Sequence, residues 1–246
     1  MPVVEGFVIA EQDVVAVRAA GDTADVRTTI DASRGCEQLE QRVIRFSPGR
    51  SLERGGDHRQ EVLFVVSGRG TLRLDGADHA LEPATAAFIA PGESYAVEAP
   101  EELVIVSVTA PESALGVGNG RRVTVRLEDQ PVLPATPNRE FRYLVNQDAG
   151  CLDVTQFVGV IPPGRAPEHS HTYDEVVYIL EGNGVYHIAG EDFPLAQGTC
   201  LHLPPYVRHC IENTGSTNMK VLGVFHPSGD PASKAFEGRA DNKEGM

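Results

Sequence analysis

A chain of 246 residues, 41% of them hydrophobic, has enough apolar material for one domain or two smaller ones. A formal charge of −14 repels phosphate backbones and argues against nucleic-acid binding, and no apolar run approaches the ~18 residues of a membrane span. The start, MPVVEGFVIAEQDVV, lacks the basic and small-residue marks of a secretion signal, so the expectation is a soluble, cytoplasmic protein with Cys36, Cys151, Cys200 and Cys210 reduced and buried.

In chain order, the first apolar segments are VLFVVSG from Val62, TLRLDG from Thr71, AAFIAP from Ala86 and LVIVSVTAP from Leu103. VVYILEG from Val176, GVYHIAG from Gly184, TCLHLPP from Thr199 and KVLGVFHP from Lys220 follow. Each is short, rich in β-branched residues and closed by Gly, Pro or Asp, the pattern of strands. No sustained helical period occurs before the C-terminal tail. Many short strands at even spacing predict an all-β chain of antiparallel sandwiches or barrels.

The second set repeats the first. EVLFVVSGRGTLRLDGADHAL from Glu61 aligns without a gap on EVVYILEGNGVYHIAGEDFPL from Glu175, bringing Gly68, Gly70 and Gly76 onto Gly182, Gly184 and Gly190. The same register carries Thr85 onto Thr199; upstream, after a one-residue shift, Cys36 falls on Cys151. Such self-similarity is the mark of two copies of one unit. The Gly- and Ser-containing PESALGVGNGRR suits a crossover between them, giving domains 1–115 and 116–246.

The second copy concentrates the metal-binding residue types. His169 and His171 are two apart, so on an extended segment both face one way, and Glu175 shares their parity. His209 follows a proline turn on a later strand. Three imidazoles and a carboxylate suit one divalent Mn, Fe, Co, Ni, Cu or Zn ion and disfavour Mg and Ca. An octahedral ion held by four protein donors keeps two positions for water or substrate.

These motifs resemble those of the cupin superfamily. Gly164, His169, His171, Glu175 and Gly182 follow its first motif, G(X)5HXH(X)3-4E(X)6G, with one residue fewer before the first histidine. Gly198, Pro204, His209 and Asn213 follow the second, G(X)5PXG(X)2H(X)3N, with Tyr206 where glycine is usual. The resemblance implies two tandem jelly-roll barrels, a double-stranded β-helix each, with the metal inside the second, tight packing between the two barrels, and a homodimer. In the first copy Gly55, Asp57 and Tyr95 stand where His169, His171 and His209 stand in the second. Only Glu61 remains, with His58 nearby, so the first barrel reads as a degenerate cupin without metal.

Around the four ligands, Tyr173 shares their parity and His226 ends the last strand near the barrel mouth, and both are candidate catalytic residues. Arg165 and Arg208 could bind a substrate carboxylate or form surface ion pairs. Glu168 reads as a solvated acid, His187 as surface or packing, His202 as structural, and Cys200 and Cys210 as core. Asn213 could orient an imidazole or tie a turn.

No Ser-His-Asp arrangement, phosphate loop or dinucleotide fingerprint is present, so any chemistry is metal-centred. The reading is a metal-dependent enzyme acting on a small-molecule substrate at a mononuclear three-His, one-Glu centre, foremost a dioxygenase-type oxidoreductase. A non-redox hydrolase, isomerase or lyase is the first alternative. Ureidoglycine aminohydrolases are similar in plan, but their ligands are a Glu and two His from the first motif and a Gln from the second. The set here looks more like quercetinase-type dioxygenases and oxalate-decarboxylase-type cupins. A non-catalytic binding or sensor protein is the second alternative.

Overall fold

The computed structural model describes residues 6–111, 115–136 and 138–232. The C-terminal tail, where the sequence left room for a helix, and residues 112–114 of the crossover lie outside them. Each apolar segment named above is a strand. Gln60–Ser67, Gly70–Leu74, Thr85–Ile89 and Leu103–Ala110 serve the first half; Asp174–Glu181, Gly184–Ile188, Thr199–Leu203 and Met219–His226 serve the second. No helix among the described residues is long and apolar enough to cross a membrane.

Each half is two antiparallel sheets folded on one another. In the second half a larger sheet runs Thr199–Leu203, Asp174–Glu181, Met219–His226, Thr155–Ile161, Arg139–Val145, Leu133–Thr136, and faces a smaller one of Gly164–Arg165, His209–Asn213, Gly184–Ile188 and Glu191–Leu195. The first half repeats the plan, with Thr85–Ile89, Gln60–Ser67, Leu103–Ala110, Glu40–Phe46 and Ala24–Ile30 in its larger sheet.

The large sheets are buried on both faces, which is why their strands read as unbroken apolar runs. Alternate side chains go to different cores. Val62 and Phe64 join Val176, Tyr178, Leu222 and Val224 in a core shared by the two halves. Leu63 and Val65 point the other way, into the first barrel, beside Leu72 and Ile105. Val177, Ile179 and Leu201 do the same in the second barrel. Truncating a buried Phe such as Phe64 to Ala costs about 3–5 kcal/mol.

Each half also closes the other. Phe7–Ala10 pairs with Thr199–Leu203 of the second barrel, and Thr124–Arg126 pairs with Thr85–Ile89 of the first. These two strands stand in equivalent places and pair across the 115/116 boundary.

The repeated glycines have steric causes. Gly182 sits at φ 98°, and a Cβ there would lie 2.9 Å from the Met219 backbone. A Cβ on its copy, Gly68, would lie 2.1 Å from the Glu102 carbonyl. Neither place admits a side chain.

Candidate metal centre

The loop carrying His169 is closed onto the His209 strand by reciprocal backbone bonds. The His169 amide donates to the His209 carbonyl at 3.0 Å, and the His209 amide donates back at 2.9 Å. The Tyr206 amide donates to the His171 carbonyl at 2.7 Å. Tyr206 achieves this at φ 64°, the left-handed conformation that its place in the motif usually gives to glycine. These clamps bring the rings together, with centroids 4.7 Å apart for His169 and His209 and 4.9 Å for His171 and His209.

All three imidazoles are oriented alike. Nδ1 of His171 lies 2.8 Å from the Tyr173 carbonyl, Nδ1 of His209 lies 2.9 Å from that of Val207, and Nδ1 of His169 lies 3.3 Å from that of Pro167. A carbonyl only accepts, so Nδ1–H donates in each and Nε2 presents its lone pair. The Nε2 atoms of His171 and His209 are buried without a hydrogen-bond partner. An unmet buried acceptor costs about 1–3 kcal/mol, and two together mark a place built for an electrophile.

Glu175 completes the group, its Oε2 3.3 Å from Nε2 of His171. Gly223, on the adjacent strand, makes room for it; a Cβ there would lie 3.0 Å from Glu175 Oε1 and 2.4 Å from the Phe157 ring. Burial pushes the Glu175 carboxyl up to about 8. Burial also lowers His171 to about 4, against the opposing pull of the Tyr173 carbonyl. His209 falls to about 3, through burial first and then the neighbouring His169 and His171. Near neutrality His171 and His209 are therefore ready donors, while Glu175 keeps its proton. His169 is exposed at the rim; His171, Glu175 and His209 are buried.

The four side chains line one cavity inside the second barrel, and the residues present fit a divalent transition ion. Tyr173 lines it too, stacked on His171 at 4.2 Å and 5° and on Phe225 at 4.2 Å and 20°. His226 does not. Even-numbered residues of its strand face the other barrel, and its Nδ1 lies 3.1 Å from the Asp153 carbonyl.

The remaining polar residues sort by location. Arg165 and Arg208 both pair with Glu168 on the surface, at 3.3 and 3.6 Å. His187 lies between Asp192 and Glu212, at 2.6 and 3.0 Å. Asn213 ties a turn, donating to the Ile161 and Thr217 carbonyls at 2.8 Å each. Cys200 and Cys210 are buried, and all four cysteines are free.

Sequence reasoning missed Arg139. It lines the cavity, half-buried, and donates to the Ile211 carbonyl at 3.2 Å. Burial lowers its pKa. No spacing links it to the motifs; it arrives on a strand of the large sheet.

The equivalent place in the first barrel is filled. The Tyr95 hydroxyl donates to Glu61 Oε1 at 3.1 Å, and the Ser107 hydroxyl donates to the same oxygen. Burial raises the Glu61 pKa, opposed by the Ser107 hydrogen bond. Tyr95 occupies with a phenol the position that His209 holds in the second copy.

The cupin domain family profile matches residues 157–225. SchB of Streptomyces halstedii is 35% identical over 98 residues, 39% of this chain and 69% of SchB. The oxalate-binding protein of Thermotoga maritima is 39% identical over 67 residues, 26% of this chain and 55% of that protein. The chain spans about half the length of this and two further curated relatives. Protein Ylba from E. coli has a similar fold throughout, with a TM-score of 0.77 at 15% identity, covering 93% of each chain.

Proposed function

The chain belongs to the cupin superfamily, and on that premise we propose that its second barrel is the mononuclear metal centre of an enzyme acting on a small organic acid. One observation carries the reading: two buried imidazole Nε2 lone pairs without partners open on the same cavity as Glu175. His169, His171, Glu175 and His209 would hold the ion. Bound there, it would supply Lewis-acid polarisation of a substrate oxygen and, for a redox-active metal, access to O2.

The protein's own groups would do the rest. Arg139 offers a two-pronged donor to a substrate carboxylate at the cavity wall. Phe141 and Phe157 exclude water from the substrate. Tyr173, its phenol raised by burial, stays protonated and holds the His171 ring by stacking. A dioxygenase-type oxidation is the reaction proposed first, in a cytoplasmic homodimer.

The test is O2 uptake by metal-loaded protein across a panel of small hydroxy-, enediol- and dicarboxylic acids. Metal-dependent uptake with one of them, with KM raised at least tenfold in Arg139→Leu, is expected. A second reading, binding without turnover, is favoured by the likeness to the oxalate-binding protein of Thermotoga maritima. Saturable acid binding with no uptake and no product would replace the enzyme by a binding module.

A further inference from the structure

A second group of donors lies outside the cavity. Cys36, Asp174 and His202 each bring one ligand atom to a common place, and the three atoms lie within 4.8 Å of one another. Cys36 comes from the first half of the chain, just after the short 3-10 turn Ala32–Arg34. Asp174 and His202 come from the second half, on neighbouring strands where Val176 pairs with His202. Their side chains share the sheet face with Val176 and Cys200, which belong to the core between the barrels. Glu175 points the opposite way, into the cavity.

Both Cys36 and His202 are sealed from solvent, at 1% and 0% exposure. His202 Nε2 lies 2.8 Å from Asp174 Oδ1, while its buried Nδ1 has no hydrogen-bond partner. Burial, and then the nearby Asp174, pushes the Cys36 thiol up to about 12.

The first copy supplies an internal control. The repeat places Gln60 on Asp174, Phe88 on His202 and Cys151 on Cys36. There the Cys151 thiol donates to Gln60 Oε1 at 3.5 Å, and Phe88 packs beneath Arg121. A neutral amide, a phenyl ring and a thiol thus satisfy the fold at this place. The second copy keeps the thiol and has exchanged the amide and the phenyl ring for a carboxylate and an imidazole, which the fold does not require.

We propose that Cys36, Asp174 and His202 form a second, three-donor cation site at the junction of the two barrels, fitted to a borderline-soft divalent ion such as Zn(II). One sulfur, one nitrogen and one oxygen donor match that ion and reject Mg and Ca. Binding releases the Cys36 thiol proton to solvent, and the thiolate, carboxylate and neutral imidazole then face the ion. Because Cys36 belongs to one half and the other donors to the second, the ion ties the two barrels together. The site is distinct in its donors from the four-ligand centre, which contains no sulfur.

Co(II) is the probe, since a thiolate ligand gives a near-ultraviolet charge-transfer band that imidazole and carboxylate cannot. The full-length His171→Ala/His209→Ala protein is expected to bind one Co(II) with that band, to lose it on adding Zn(II), and to lose it in the further Cys36→Ser variant. Asp174→Gln/His202→Phe reproduces the chemistry of the first copy, so it is expected to fold and to lack the band. No band in the parent protein, a band that survives Cys36→Ser, or a band retained by folded Asp174→Gln/His202→Phe would each overturn the site.

Discussion

Raising the pH from 6 to 8 is expected to tighten metal binding at the second barrel about fifty-fold through Glu175. The ion must displace the proton that burial keeps on this carboxyl, whose pKa lies at about 8. Below that value the apparent affinity rises about tenfold per pH unit, and above it the curve flattens. His171 and His209, at about 4 and 3, are already neutral and add no slope. Competition against a chromophoric chelator at a series of pH values reads the curve, and Glu175→Gln should flatten it. A slope near zero between pH 6 and 7, or a slope near three with a break at the ordinary histidine pKa of ~6.5, would refute the reasoning. The metal-free fold carries the same signature in its stability. Glu175, raised, contributes stability that is fully present below its ordinary value of 4.5 and is lost as pH rises through about 8. The two histidines, depressed, contribute stability present above 6.5 and lost as pH falls through about 4 and 3. The rise in melting temperature on adding metal is therefore larger at pH 8 than at pH 6.

Three substitutions probe the remaining geometry. His209→Ala should remove most of the metal in elemental analysis yet keep a native circular-dichroism spectrum, since its clamp to His169 is made by backbone atoms; full occupancy would contradict the ligand set. Tyr95→Phe takes one of two hydroxyl donors from buried Glu61 and should cost about 1–2 kcal/mol in denaturant unfolding. Its metal content should stay unchanged, and a halved metal-to-protein ratio would show that the first barrel holds an ion. Tyr206→Gly relieves a left-handed conformation worth about 1–2 kcal/mol at a side chain 70% exposed. Stability should hold or rise by up to about 1 kcal/mol, and a loss beyond that would mean that the ring is held by contacts.

The amino-acid sequence by itself determined the strands, the two-fold repeat and the cluster of His169, His171, Glu175 and His209 within one unit. These follow from short-range rules: period-two alternation, turn residues, and side chains at even spacing on one face. Tyr206 was legible as a departure from the motif, though not as a residue that keeps the glycine conformation. The tertiary structure alone decided which faces meet. It turned His226 away from the cavity, because a strand buried on both faces gives alternate residues to different cores. It brought Arg139 to the wall of the cavity, and it let Phe7–Ala10 and Thr124–Arg126 close opposite barrels. It also set Cys36 against Asp174 and His202, donors from opposite halves of the chain. Spacing along one segment fixes what that segment can present; only long-range strand pairing fixes what stands opposite.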